Sequence, residues 1–435
     1  MSRRIVVAAT GDALITTRMP DYPDAEFQGL VGLIQSADVA FTNMEMVLSN
    51  YQGSPVVEAG GGNASAHPAV ALDLMRMGFN LTAYANNHTL NYGEYGCLKT
   101  LEVLAEYGFT CAGAGRNLAE ARLPAYLDTP AGRVGLVGCA SSFAPGQRAG
   151  AQKHDTPGRP GLNPQRFDTL YVVDQEHLEA IQRIAERTGA EAQRQHGVDM
   201  GFAKPPKREG EVQFAGRSFI AGDEFGIRTE AHEKDMEGNA ASIGEAARVS
   251  HLTLASIHAH EQGKAKEDPA DFLVTWAHAM IDAGADMVIG HGPHIMRGLE
   301  IYNGKPIFYS LGNFIFQVEL MQKMPSDDFE GLGMDPTGTA GDMFRQLWVE
   351  APKGFATDRM YWETVLPLCT YEDRKVTSIE LHPVTLAFGA PLPDRGIPRL
   401  AGPDLGAEIL ATFAQLSEPF GTKIEVRDNV GYVEC

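Results

Sequence analysis

Residues 284–316 read GADMVIGHGPHIMRGLEIYNGKPIFYSLGNFIF, and this stretch decides the fold. An apolar run, ADMVIG, is followed directly by His291 and His294 in a turn that also holds two glycines and a proline. A second apolar run, KPIFYSLGNFIF, follows further along the chain. Glycine and proline are sufficient to make the first turn. The two imidazoles therefore indicate a chemical role.

The same alternation of strand, turn and helix fills the first 145 residues. The strand-like runs RIVVAAT, DVAFTNMEM and NLTAYANNH are separated by segments with helical spacing, and a hairpin is predicted around Ala131 and Gly132. The pattern resumes with LTLASIHAHE at residue 252 and with a helix before ADMVIG. Such alternation is typical of a largely parallel sheet with helices on both faces, an α/β fold.

The domain organisation follows from changes in composition. We predict one domain over residues 1–435, with an insertion or cap at 144–244 that is rich in glycine, proline and basic residues. Its only regular element is a polar helix at about 174–195, so we expect long loops there rather than sheet. Residues 350–435 contain alternating stretches such as YWETVLPLCTY, which predict a β-rich extension of the core, with a helix near 402–417.

Charge and cysteine content limit the partners. The chain has 435 residues, with 56 acidic against 36 basic side chains and a net charge of −20. So acidic a surface repels nucleic acid and anionic lipid, and an anionic substrate needs a local source of positive charge such as a metal ion. We expect no nucleic-acid partner and no membrane association. The oligomeric state is left open, a homodimer included.

The cellular location is predicted to be the cytoplasm. No apolar stretch approaches the length of a membrane span. The first apolar run is broken at Thr10, Gly11 and Asp12, which makes it a poor signal peptide. The 5 cysteines are scattered without a CxxC motif, and this favours free thiols in a reducing compartment.

Potential metal ligands follow each predicted strand. Carboxyl ends of parallel strands converge on one crevice, so these residues can meet there although they are far apart in sequence. Carboxylates and imidazoles suit Mn, Zn or Fe. Each motif alone also fits an ordinary turn or helix cap, and the joint occurrence favours a metal site. The residues are Asp12, Glu45, Asn87, His88, His258, His260, Glu261, His291 and His294.

The segments GDALI, TNMEMVLS, ANNHTLNYGEYG, SIHAHE and 284–316 together resemble the CapA-like proteins of poly-gamma-glutamate capsule synthesis. That family belongs to the calcineurin-like metallophosphoesterase superfamily. The resemblance implies a four-layer α/β/β/α sandwich around a dinuclear-type centre for one or two divalent metal ions. It further implies a bridging Glu45, a His88 that stabilises the transition state or protonates the leaving group, and the remaining metal ligands Asp12, Asn87, His258, His291 and His294.

Three positions depart from the pattern that the resemblance implies. Leu14 stands where phosphoesterases carry the histidine of a D-x-H motif, so one ion is expected to bind weakly or not at all. Asn91 stands where relatives commonly have aspartate. HAHE replaces the common HWGxE, so His260 becomes an additional ligand or a proton carrier. Many relatives are also anchored in a membrane.

Three functions remain open at this stage. The first is a metal-dependent hydrolase of phosphoesters, acting on an anionic small molecule or short polymer, with Arg159, Arg166 and Glu261 as substrate contacts and Lys153 as a further candidate. The second keeps the metals but hydrolyses or transfers an amide of the γ-glutamyl type. The third is a non-catalytic scaffold that retains a metal site.

Overall fold

Strands and helices alternate through the first 140 residues, as the sequence pattern predicts. The computed structural model describes residues 3–434. Its strands are β1 (Arg4–Leu14), β2 (Val39–Met44), β3 (Leu81–Ala83), β4 (Thr110–Ala112), β5 (Ala114–Gly115), β6 (Ala125–Thr129), β7 (Gly132–Ala140), β8 (Gly161–Leu162), β9 (Phe167–Val173), β10 (Val212–Phe214), β11 (Arg217–Ala221), β12 (Gly226–Ala231), β13 (Leu252–His258), β14 (Met287–His291), β15 (Met296–Tyr302), β16 (Lys305–Leu311), β17 (Asn313–Phe316), β18 (Glu363–Glu372), β19 (Lys375–Thr385), β20 (Arg399–Leu400), β21 (Ile424–Arg427) and β22 (Val430–Val433).

The α-helices lie between these strands and are mostly short. They are α1 (Ala25–Ser36), α2 (Ala71–Met77), α3 (Gly93–Glu106), α4 (Leu118–Arg122), α5 (Gln175–Arg187), α6 (Ala190–Asp199), α7 (Glu233–Val249), α8 (Asp271–Ala283), α9 (Ser326–Gly331), α10 (Ala340–Arg345) and α11 (Pro403–Ser417).

Two large sheets organise the chain. The larger has 10 strands in the order β21-β22-β19-β18-β1-β2-β3-β4, with β17 and β20 pairing with β1 and β19. The smaller has 6 strands in the order β15-β16-β14-β13-β7-β6. β1 to β4 run parallel to one another, as do β7, β13, β14 and β16. Each sheet therefore gathers several carboxyl strand ends at one edge.

Three apolar cores separate four layers. Phe27, Leu30 and Leu104 belong to the core under α1–α3, on the outer face of the larger sheet. Phe41 and Ile289 belong to a second core, between the two sheets. A third core packs α7 and α8 on the outer face of the smaller sheet. This arrangement is the α/β/β/α sandwich that the family resemblance implies, and the predicted fold class is confirmed.

Helix α8 shows how the sequence specifies an outer layer. Phe272, Trp276 and Met280 recur every four residues, so they lie on one face of the helix and are buried against the smaller sheet. Burial of each such side chain stabilises the fold by about 1.5–3 kcal/mol. The helix ends at Gly284, which has the left-handed conformation that helix termini favour (φ 119°).

The chain crosses from the smaller to the larger sheet at Gly312, between β16 and β17. The backbone N–H of Asp12 donates to the Gly312 carbonyl over 2.9 Å. A Cβ atom on Gly11 would lie 1.9 Å from the same oxygen, so the approach requires glycine at position 11. This contact brings the carboxyl end of β1 directly against the end of the smaller sheet.

The segment predicted as an insertion, residues 144–244, differs in content from the prediction. It contains a four-stranded sheet in the order β10-β11-β9-β12, where long loops without sheet were predicted. These strands are short and mostly half-buried or exposed, so their apolar periodicity is weak. The predicted polar helix is two helices, α5 and α6, which separate at the left-handed Gly189. Helix α7, placed partly in the insertion, belongs to the outer layer of the core.

Residues 350–435 are rich in strands, as predicted, and form part of the larger sheet itself. β18 pairs antiparallel with β1 from Arg4↔Glu372 to Ala8↔Leu368. The predicted helix near 402–417 is α11, and its Ile409 lies in the core between the sheets.

Three of the described cysteines illustrate the state of the thiols. Cys97, Cys111 and Cys139 carry free thiols, and burial raises the pKa of Cys97 to about 12. Cys435 lies outside the described residues. Within residues 3–434, no helix is both long and apolar enough to cross a membrane.

A buried ion pair joins the insertion to the core. The Asp235 carboxylate, in the first turn of α7, is 2% exposed and accepts hydrogen bonds from Arg122 at 3.0 Å and from Arg166 at 2.6 and 2.9 Å. Burial alone would raise the pKa of Asp235, but the hydrogen bonds and charge of Arg166 outweigh it and lower this pKa below its ordinary value.

We predict that Asp235→Asn lowers the free energy of unfolding by about 3 kcal/mol at pH 7, because two guanidinium groups lose their counter-charge. The folded pKa is depressed, so this stabilisation is present above the unfolded-state pKa and is lost as the pH falls through the folded value. Urea unfolding at a series of pH values measures both effects. The matched control is Asp128→Asn, whose pair with Arg133 is exposed and should contribute little. Equal losses in the two variants would contradict the prediction.

Candidate metal centre

The polar strand ends of both sheets meet at one edge of the sandwich. In the larger sheet, Asp12 is in register with Asn43 of β2 and with Asn313 of β17. In the smaller sheet, His258 of β13 is in register with His291 of β14. The crossing at Gly312 places these two edges against each other. The convergence predicted from the strand order is therefore present.

A first group of potential ligands consists of Asp12, His258 and His291, whose ligand atoms all lie within 4.8 Å of one another. Oδ1 of Asp12 is 3.4 Å from Nδ1 of His291 and 3.6 Å from Nδ1 of His258. All three side chains are fully buried. One carboxylate and two imidazoles are a donor set that suits a divalent transition metal.

A second group consists of Glu45, His260 and His294. Nε2 of His294 lies 3.9 Å from Oε1 of Glu45. His258 connects the two groups, since its Nε2 is 3.6 Å from Oε1 of Glu45 and 3.1 Å from Nε2 of His260. The structure thus places His260, predicted as an extra ligand or proton carrier, among the ligand atoms. Leu14, which replaces an expected histidine, lines the same cavity as His260.

Unpartnered oxygens show that these residues fit a metal. Both carboxylate oxygens of Glu45 and Oδ1 of Asn87 are buried without any hydrogen-bond partner. The Asn87 amide donates to the Gly60 carbonyl over 2.6 Å, so Oδ1 is its free atom. A buried carboxylate without a donor is strongly destabilising unless a cation lies beside it. Glu45 and Asn87 therefore have the surroundings of ligands.

Hydrogen bonds outside the ligand set orient the imidazoles. Nε2 of His291 lies 2.8 Å from the Ser256 hydroxyl, which leaves Nδ1 directed at Asp12. Nδ1 of His294 lies 2.8 Å from Oδ1 of Asn313, which leaves Nε2 directed at Glu45. Such partners fix the tautomer and the ring position of metal-binding histidines.

The turn after β14 is conformationally strained. His294 has a φ of 62°, a left-handed conformation that is uncommon for any residue but glycine. Gly292 has a φ of 119°, and a Cβ there would lie 2.8 Å from the Ala259 nitrogen. Gly292 also donates its N–H to Oδ2 of Asp12 over 2.9 Å. The bend that the glycines permit is therefore what presents His294 and a backbone donor to the centre.

Burial favours the neutral form of three imidazoles of the centre. Burial lowers the pKa of His258 to about 4, and it also lowers the pKa values of His260 and His294. Burial alone would raise the pKa of Asp12, but hydrogen bonds and charge from the neighbouring histidines outweigh it and hold this pKa well below its ordinary range. Burial, and then the charge of Asp12, raise the pKa of Glu45. Neutral imidazole is the form that binds metals.

Three predicted substrate contacts do not line the cavity beside this centre, and each is occupied by a structural partner. Arg159 is exposed, and its guanidinium donates to the Arg148 carbonyl. Arg166 is held by Asp235 in the ion pair described above. The Glu261 carboxylate accepts a hydrogen bond from Ser141 at 2.6 Å. None of the three lines the cavity beside the centre.

One buried arginine has a role that the sequence pattern does not indicate. Arg297 of β15 is fully buried, and its guanidinium donates to the carbonyls of His260, Glu261 and Lys266. Burial lowers its pKa to about 10. The side chain therefore holds the loop that carries His260. Asn43 and Asn313 were also missed, although they stand within the quoted motifs TNMEM and SLGNF.

A four-layer sandwich with two adjoining carboxylate and histidine groups at a shared strand edge defines a metallophosphoesterase-like protein. The chain belongs to the bacterial capsule synthesis protein family PGA_cap, whose model matches residues 6–318. The resemblance identified in the sequence is therefore confirmed.

Individual relatives agree with this assignment. The chain is 32% identical to the protein y4sH of Sinorhizobium fredii over 98% of its own length and 92% of that protein. It is 26% identical to the capsule biosynthesis protein CapA of Bacillus anthracis over 55% of this chain and 40% of CapA. It is 27% identical to a probable polyglutamine synthesis accessory protein of Mycobacterium tuberculosis over 61% and 50% of the two chains.

We predict that Glu45→Gln lowers the affinity for Mn²⁺, Zn²⁺ or Fe²⁺ by at least about tenfold, because even residues that only orient a ligand have effects of this size. The metal-free variant should be no less stable than the parent, since it loses a buried carboxyl group without a donor. Calorimetric titration and elemental analysis measure the first effect, and urea unfolding in chelator the second. His154→Ala, an exposed histidine, is the control. Unchanged affinity in Glu45→Gln would remove Glu45 from the ligand set.

Proposed function

We propose that the protein is a metal-dependent hydrolase that acts on a phosphoester or related group of an anionic small molecule or short polymer. The observation that carries this proposal is the pair of adjoining ligand groups, with the unpartnered Glu45 and Asn87, beside an open cavity of about 910 Å³. A purely structural metal site is closed, whereas catalytic sites keep access for substrate.

The residues that would hold the ions are Asp12, Glu45, Asn87, His258, His260, His291 and His294. Divalent ions in this place supply a Lewis acid for the reacting group and a water that is nucleophilic near neutral pH. Asn87, His260 and His294 line the cavity, so a substrate there reaches the second ligand group. Asp12, His258 and His291 are fully buried and hold the inner part of the centre.

The residue that would move a proton is His88. Its Nδ1 lies 2.6 Å from Oδ1 of Asn91, which also accepts the backbone N–H of Ala64. The Asn91 amide group donates to the Ala59 carbonyl, so Oδ1 is the acceptor and Nδ1 of His88 carries the hydrogen. Nε2 is then the atom that exchanges a proton with a leaving group in the cavity.

A second candidate function is cleavage or transfer of a γ-glutamyl-type amide at the same centre. It is favoured by the names of two relatives, a capsule biosynthesis protein and a probable polyglutamine synthesis accessory protein. Divalent ions held by the same residues would polarise a carbonyl oxygen as they would a phosphoryl oxygen. The two functions differ in product, which is phosphate in the first and an amine in the second.

We expect the protein loaded with Mn²⁺, Zn²⁺ or Fe²⁺ to release phosphate from a broad panel of phosphoesters, to lose this activity in chelator, and to regain it when metal is returned. Phosphate and primary amine are assayed in parallel, with γ-glutamyl amides in the same panel. Amine release without phosphate release would favour the second function. If a fully metal-loaded sample turns over neither class of substrate, the remaining function is that of a non-catalytic scaffold that retains a metal site.

We predict that His88→Asn lowers kcat by about 10²- to 10⁴-fold, the usual contribution of a general acid, while metal content stays unchanged. Steady-state kinetics and elemental analysis on the same preparation test both statements. The control is His67→Asn, because His67 is exposed and caps a short helix through Nδ1, a role that asparagine also performs. A variant with full activity would exclude His88 from proton transfer.

A further inference from the structure

The cavity beside the centre has two unlike halves. One half is polar and is formed by Asn87, His88, His260, Lys266 and His294. The other half, here named the apolar wall, comes from the segment that follows β17. Its members are Met321, Met324, Phe344, Leu347, Trp348 and Phe355.

The apolar wall contacts His294, one of the proposed metal ligands. The rings of His294 and Phe355 meet edge to face, with centroids 5.2 Å apart. Phe316 stacks on Trp348 with centroids 6.0 Å apart and contacts Phe355 at 5.2 Å. A group attached directly to the reacting atom therefore meets an aromatic surface at once.

Packing from behind makes this surface firm, although part of it stays accessible. Phe344 of the wall forms a buried apolar cluster with Phe329 and Met343, and Met324 and Trp348 pack against this cluster. The ring of Trp362 also packs against Trp348, with centroids 5.9 Å apart. Trp348 and Phe355 themselves are only half-buried, so they still offer ring surface. Aromatic side chains in such positions contribute apolar contact with little loss of conformational freedom.

Charge on the rim disfavours a plain polyanion. Asp327 and Asp328 line the cavity on the same side as the wall, so they repel a second carboxylate or phosphate there. Lys266, which lines the polar half, lies 3.6 Å from Asp358 and is partly neutralised by it. The rim therefore favours one anionic group next to the proposed metal ligands over a second one beside the wall.

We propose that the substrate carries an apolar group of aromatic size next to the anionic group that is cleaved, and that the apolar wall binds it. This inference rests on the proposed hydrolase function. The predicted ligands Asp12 to His294 lie within residues 6–318, the part matched by the family model, whereas the wall begins at Met321. The wall is therefore a feature of this chain beyond the matched part of the family.

The test compares ligands that differ only in the apolar group. Benzylphosphonate and methylphosphonate, which are not hydrolysed, are titrated calorimetrically into the metal-loaded full chain. Benzyl phosphate and ethyl phosphate, both alkyl esters, are compared by kcat/KM. We expect the benzyl compound to be favoured by at least about tenfold in each comparison, the discrimination usual for apolar pockets.

Substitutions in the apolar wall test whether the wall causes the preference for the benzyl compounds. Trp348→Ala and Met324→Ser should each reduce the benzyl preference severalfold, Trp348→Phe should retain most of it, and all three should keep their metal content. Phe225→Ala removes an exposed aromatic ring in the insertion and should change nothing. Met324→Ser keeps the test valid if Trp348→Ala fails to fold.

The outcomes separate this inference from the hydrolase proposal. Equal affinity for the two phosphonates, or no binding of either, overturns the inference. A benzyl preference that survives both Trp348→Ala and Met324→Ser overturns it as well. Preferential binding of benzylphosphonate without turnover of any ester supports the apolar subsite and contradicts the hydrolase function alone.

Discussion

The carboxylate of Asp12 joins the two sheets. It accepts hydrogen bonds from the Asn43 side chain in the larger sheet and from the Gly292 backbone in the turn after the smaller one. The backbone N–H of Asp12 donates to the carbonyl of Gly312, where the chain crosses between the sheets. A buried carboxylate needs such donors, so the spacing of the two sheet edges is set by its requirements. Both ligand groups depend on that spacing.

The sequence was sufficient to predict the layers and the meeting of most site residues. The four layers follow from the family resemblance, and the alternation of strands and helices predicts a parallel sheet whose carboxyl strand ends converge on one crevice. His260 was harder to place, because its position depends on a loop held by the guanidinium of Arg297. A lone arginine inside a strand gives no sequence signal of that role.

The basic residues of the insertion show what the local sequence pattern does not predict. A basic stretch in an acidic protein suggests an anion site, yet Arg166 is neutralised by Asp235, which is distant in sequence and close in the fold. The partner of a charge depends on tertiary structure, as does the small sheet built from short, half-buried strands. Local pattern therefore predicts the elements of the core well and the contacts of peripheral charges poorly.

The left-handed backbone at His294 has a consequence for mutational tolerance. Glycine at this position would relieve the backbone strain but would remove the metal-binding side chain. Most other side chains that bind metals would keep a ligand atom there and also keep the strained backbone. Asparagine and aspartate adopt positive φ more readily than other residues and also offer an oxygen to a metal. Position 294 thus tolerates very few residues. We expect substitutions there to be rare among homologues even where the surrounding turn varies.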